Sequence, residues 1–294
     1  MKSNIPVQSL NSRISAKRRI YDTSLKVLIY IAAGITLLLL VGLIGYIFYR
    51  GLPHVSWEFL TTQRKVLEDK IGIFPNILFT LYTILTALVI ALPIGIGSAI
   101  YLNEYAKQKG LVRFIEFSTE TLTGIPSIIY GLVGMLFFCQ MLGLKSSVLA
   151  GSLTLVVMIL PSIIRTTQES LKTTPQAYRD GAAALGATKW YAIRTIVLPC
   201  TIDGIVSGGI LAVGRIVGES ASLLFTAGAG YVLVTNYIKA LSVSGGTLSV
   251  MLYVYVMENG QFDVGFAIAS ILMILVLVIN ISAKVAKKRL KRLG

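Results

Sequence analysis

The chain has 294 residues, of which 55% are hydrophobic and only 14% charged, with a mean hydropathy of +0.77. That balance excludes an ordinary soluble globular domain and identifies a membrane protein. The net charge of +14 invites a nucleic-acid reading until the positions of the basic residues are considered.

Residues 1–26 form a polar, basic segment. Within it, NSRISAKRRIYDTS (11–24) alternates basic and apolar residues at near-helical spacing, and it is expected to lie along the inner membrane surface. The apolar run that follows is too long for a signal-peptide core and has no small-x-small cleavage pattern after it, so it reads as an uncleaved anchor. Six runs approach or exceed the roughly 20 residues that a helix needs to cross a bilayer. They cover 27–49, 71–103, 121–144, 146–164, 204–238 and 264–283. Lipid offers no hydrogen bonds to open backbone, and no period-2 alternation argues for a barrel, so the spans should be helices. The expected fold is all-α: a polytopic membrane protein with six transmembrane helices over residues 27–283.

With the amino terminus inside, 20 of the Lys and Arg residues fall on the inner side and 6 in the outer loops, leaving Arg215 within a span. This asymmetry places both termini in the cytoplasm. The tail 284–294, with KVAKKRLKR at 284–292, then serves as a topology signal and an anchor to membrane lipids, and no nucleic-acid partner is expected.

Along the chain, the outer loop at 50–70 carries Trp57 at interfacial depth. Pro75 and Pro93 should kink the second span, and Gly124, Pro126, Gly131 and Gly134 should give the third a small, closely packing face. Cys139 and Cys200 fall toward opposite ends of their spans, too far apart to bridge, and His54 stands alone, so no metal or thiol site is expected. The apolar part of TLSVMLYVYVMENG (247–260) is too short to span and reads as a re-entrant or interfacial helix.

The inner loop at 165–203 contains YRDGAAALGATKWYAIRTIVLP (178–199). Small residues at 182–184 form a flat face, Gly186 supplies freedom for a turn, and Trp190 to Leu198 make an apolar second half before Pro199 resets the chain toward the fifth span. A helix, a turn and a second helix are expected. The stretch resembles the coupling loop of ABC-importer permeases, whose pattern is EAA, three residues, G, nine residues, I, one residue, LP. Here Asp180, Gly181 and Ala182 are followed at that spacing by Gly186, Ile196, Leu198 and Pro199. Asp180 and Gly181 depart from the pattern's Glu and first Ala. Asp keeps the acid with a shorter reach, whereas Gly weakens a helix by roughly 1 kcal/mol relative to Ala.

TGIPSIIYGLVG (123–134) and AVGRIVGESASLLFTAG (212–228) resemble the matching spans of the PstA family of phosphate permeases. That resemblance implies a type I ABC-importer permease that carries inorganic phosphate and forms half of the pathway. Its partners would be a homologous PstC-like permease, two cytoplasmic PstB-like ATPases and an extracytoplasmic PstS-like binding protein. Asp180, Gly181, Ala182, Gly186, Ile196, Leu198 and Pro199 would then couple to the ATPase. The chain contains no G-x-x-x-x-G-K-[ST] loop, so it is expected to bind no cofactor itself and not to be an enzyme, with ATP and Mg on the partner subunit.

Arg215 and Glu219 are the charged groups of the uncharged run at 204–238. An ionised residue near the bilayer centre costs about 2.5 to 3.5 kcal/mol on insertion scales, so the pair needs a reason. Four residues apart on one helix they would face each other, and an internal ion pair is the plainer reading. The alternative uses the guanidinium fork, which matches two phosphate oxygens, with Glu219 neutralising Arg215 in the empty pathway and accepting a hydrogen bond from the hydroxyl of HPO4²⁻. The resemblance favours the second, because the PstA-type arginine regarded as required for transport maps onto Arg215. Ser220, Ser222 and Thr226 add hydroxyls nearby, chiefly as packing groups. Another oxyanion, sulfate or molybdate, is the alternative substrate. A membrane enzyme acting on lipid phosphates with Arg215 and Glu219 as its catalytic pair is disfavoured, since the acids are scattered and the histidine lies outside.

Overall fold

The computed structural model of the chain describes residues 16–65, 70–106 and 109–293. It falls into two units, 1–49 and 50–294. The described part of the first is the body of helix α1 (Ala16–Gly51), so residues 16–24 are helical and run into the apolar stretch without a break. Residues 11–15 of the basic segment lie outside the described residues.

The second unit begins with a 3-10 turn (Leu52–His54) and the short helix α2 (Trp57–Thr61). A hairpin follows, β1 (Gln63–Lys65) against β2 (Lys70–Ile73), antiparallel with Gln63 opposite Ile73. The hydropathy pattern did not predict this hairpin, because its residues mix charge and apolar character without a clear period. Arg64 lies over both Tyr231 and Tyr255, 5.7 and 5.6 Å from the ring centroids, which ties the hairpin to later parts of the chain.

Helix α3 (Phe74–Ile100) continues as a π-turn through Tyr101–Tyr105. Pro75 sits in its first turn, where a missing N–H costs nothing, so it starts the helix instead of kinking it as expected. Pro93 lies in the interior. Helix α4 (Lys109–Thr123) and helix α5 (Ser127–Gly134), prolonged by a π-turn over Met135–Met141, meet at the Gly124–Pro126 break with a bend of 101°. The third span is thus broken. Its straight portion, Ser127–Met141, is about 22 Å long, short of the ~30 Å hydrocarbon thickness.

Helix α6 (Val148–Thr173) is followed by α7 (Gln176–Ala184) and α8 (Lys189–Ala192), then by a π-turn over Ile193–Val197 that leads into α9 (Leu198–Gly218). Contrary to the expectation that it resets the chain, Pro199 does not redirect it. Lys189–Gly218 is one membrane-length helix, and the widened turn just before Pro199 accommodates the N–H that proline lacks. Short helices α10 (Ala221–Thr226), α11 (Tyr237–Leu241) and α12 (Leu248–Tyr253) precede the long α13 (Phe262–Leu293). Among the described residues, Tyr21–His54, Phe74–Tyr105, Val148–Thr173, Lys189–Gly218 and Phe262–Arg289 are long and apolar enough to cross a membrane, and the bent α4–α5 pair brings the number to six where the pair counts as one span. The protein is an all-α polytopic membrane protein.

α3, α6 and α9 form the centre, where Ala91, Leu155, Ile159, Ile163, Ala212 and Ile216 are buried together. The segment at 247–260, expected to be a re-entrant or interfacial helix, forms the short helix α12, with Leu248, Ser249, Val250 and Met251 buried, and a π-turn over Val254–Glu258; protein groups bond its start. Leu248 N–H donates to Thr80 Oγ1 (2.9 Å), and the Asn76 amide donates to Gly246 O (2.7 Å). Cys139 is buried, Cys200 exposed, and both thiols are free.

Candidate functional site

The first group of predicted residues gathers where α9 ends. The sequence carries an uncharged run to Ile238, but the helix stops at Gly218 and Glu219 is extended (φ −83°, ψ 121°). The expected facing pair is therefore not formed, and among the described residues no ion pair or hydrogen bond joins Arg215 to Glu219. Glu219 is 8% exposed and otherwise engaged. Its Oε1 accepts the Ser222 N–H at 3.0 Å, satisfying an open donor in the first turn of α10. Its carbonyl accepts the Ser249 hydroxyl at 2.6 Å. A carboxylate that caps the next helix competes with continuation of the previous one, which is why the chain turns here.

Arg215 stands in the last turn of α9, where a cation complements the helix dipole. It is partly buried, and among the described residues no acceptor holds its guanidinium. Tyr130 of α5 lies within range of its charge and donates its own hydroxyl proton to Leu122 O at 2.7 Å. α5 reaches this place because Gly131 has no side chain: a Cβ there would come within 2.7 Å of Ser222 Cα. Ser222 and Thr226 are fully buried, with Thr226 Oγ1 bonded to Ser222 O at 2.8 Å, while Ser222 Oγ has no partner. Ser220 is partly buried. The hydroxyls pack, as expected, and the free cationic fork is the chemically available group.

The second group lies at the other end of α9. The predicted helix, turn and helix are present as α7, a turn at Gly186 and α8. Gly186 has φ +75°, a left-handed conformation that glycine adopts without strain, and its N–H closes on Ala183 O at 3.0 Å. Asp180 is exposed and accepts from the Gln176 amide at 3.1 Å; Gly181 and Pro199 are exposed, and Ile196 and Leu198 are half-buried. Ala182 differs from the expectation of an outward docking face. It is 5% exposed because its methyl is the side of α7 that packs inward. The outward apolar groups are Leu185, 89% exposed, with Trp190 and Tyr191.

Two residues outside the motif matter here. Arg179 donates through Nη2 (2.8 Å) and Nε (3.1 Å) to Glu104 Oε1, and also to the carbonyls of Thr174 and Leu171. Glu104 was legible only as an acid just after an apolar run; nothing in the linear pattern pairs it with a residue 75 positions away.

Over residues 91–292 the chain matches the family model for the binding-protein-dependent transport system inner membrane component. It is 33% identical over 72% of its length to a probable ABC transporter permease protein, YqgI, of Bacillus subtilis, covering 72% of that protein. It is 31% identical over 92% of its length to the phosphate transport system permease protein PstA 1 of Mycobacterium tuberculosis, covering 90% of it. Among solved structures, a chain of a bacterial alginate ABC transporter in complex with its alginate pentasaccharide-bound periplasmic protein superposes with a TM-score of 0.63. That match has 18% identity and covers 96% of this chain and 98% of the other, a likeness of fold.

Proposed function

Since this chain belongs to the family of binding-protein-dependent transport system inner membrane components, an ABC-importer permease family, we propose that it carries inorganic phosphate inward as one half of a translocation pathway. The other half is a homologous PstC-like permease. Two PstB-like ATPases dock on the cytoplasmic side, where the α7–α8 loop and both termini lie, and a PstS-like protein delivers phosphate from outside. The similarity to permeases named for phosphate transport supports the substrate. The observation that carries the reading is Arg215, a guanidinium in a membrane span with no acceptor among the described residues. Such a group is costly in lipid unless it faces a wet pathway or an anion, and its planar fork suits two oxygens of a tetrahedral oxyanion.

Arg215 offers charge and hydrogen bonds to the passing anion. Glu219, held by the α10 backbone, keeps the end of α9 in place beside it. Closure of the ATPases would push on α7 and rock the spans as rigid bodies. The test is ATP-driven uptake into liposomes containing the assembled complex. Saturable phosphate uptake that excess sulfate and molybdate do not suppress is expected. Suppression by either anion at equal concentration would move the assignment to another oxyanion.

A further inference from the structure

We propose that Arg179 and Glu104 form a latch that makes the coupling helix α7 and the adjoining ends of α3 and α6 move as one body. The inference rests on the reading of this chain as an ATP-driven permease and adds the route by which force leaves the coupling helix. Ala182 is the one buried residue of α7, and a single methyl offers little apolar attachment. The polar attachment is far richer. Arg179 Nε and Nη2 converge on Glu104 Oε1 at 3.1 and 2.8 Å, Nη1 donates to Thr174 O at 2.9 Å, and Nη2 also reaches Leu171 O at 3.1 Å. One side chain thereby grips the π-turn that ends α3 and the last carbonyls of α6. The Asn103 amide adds a bond to Glu104 Oε1 at 2.9 Å, and Lys189 Nζ donates to the Glu104 carbonyl.

Placement argues for a role beyond local stability. A carboxylate at a helix C-terminus opposes the helix dipole, so Glu104 is unfavourable for α3 on its own account. It is nonetheless held with its side chain 7% exposed, against 18% for Arg179. A pair so shielded resists separation, because pulling it apart leaves a poorly solvated charge on each side. Exposed pairs nearby, such as Lys172 with Glu116 (3.7 Å), have no such resistance. Lysine could not replace Arg179, since it lacks the fork that serves three acceptors at once.

The experiment places spin labels at Ala177→Cys on α7 and Tyr101→Cys at the end of α3, both exposed positions, in a Cys200→Ser background of the assembled permease–ATPase complex. With the latch intact, the label separation stays narrow and unchanged between the nucleotide-free and the ATP–vanadate-trapped complex. With Glu104→Gln or Arg179→Gln, the trapped state shifts by about 2 Å or more, or broadens, as α7 slips against α3. In the same variants, uptake per ATP falls while the substrate concentration at half-maximal uptake is unchanged. A wild-type separation that itself shifts on trapping overturns the proposal, and so do variants that keep both the narrow separation and the wild-type uptake per ATP. The distance measurement uses nucleotide alone, so failure of the phosphate assignment leaves it intact and readable.

Discussion

Arg215 and Glu219 show how far residue-level reading reaches. Their identities and their isolation in an uncharged run marked the site, but their relationship depended on the helix continuing past Gly218, and it does not. No proline or loop-like cluster announces that stop. Its cause is a hydrogen bond from the backbone three residues on to the Glu219 carboxylate. Two independent roles follow, and they are separable. Glu219→Gln keeps an acceptor for Ser222 N–H and should leave the assembled permease near wild-type stability. Glu219→Ala should cost about 1 kcal/mol, the usual loss on removing a helix cap. The effects of Arg215→Met and Glu219→Ala on stability should add to within about 0.5 kcal/mol. Denaturation of the single and double variants in detergent checks this. A coupling energy above about 1 kcal/mol would restore a direct ion pair.

Among the elements, the spans were legible because length and apolarity are what lipid demands. The α7–turn–α8 hairpin was legible because small residues, a glycine and an apolar second half follow one another at fixed spacing. Sequence could not show which face of α7 turns inward, and so Ala182, expected on an outward face, is buried while Leu185, to which the sequence assigned no role, is exposed. Nor could it pair Glu104 with Arg179, since local periodicity carries no information about contacts between distant helices. Gly186 is the turn's constraint, and the constraint is conformational: a Cβ there meets nothing within 4 Å, yet φ is +75°. Gly186→Asn, a residue that tolerates this region, should retain uptake. Gly186→Val should cost about 1 to 2 kcal/mol and lose most coupled transport at equal membrane abundance. Transport by the valine variant equal to wild type would show that the turn is not held in this conformation during the cycle.

At the scale of the whole molecule, the two candidate sites occupy opposite ends of the helix Lys189–Gly218. Arg215 lies near its last residue, and the coupling loop leads into its first. Displacement of the proposed coupling segment can therefore reach the Arg215 region through one continuous helix packed on α3 and α6. The most direct test of this account is phosphate uptake by reconstituted complexes carrying Arg215→Lys, normalised to assembled permease. Lysine keeps the charge and loses the fork, so the account predicts uptake reduced about tenfold or more, equivalent to roughly 1.4 kcal/mol, with ATP hydrolysis retained. Wild-type phosphate uptake by the Arg215→Lys complex would contradict it.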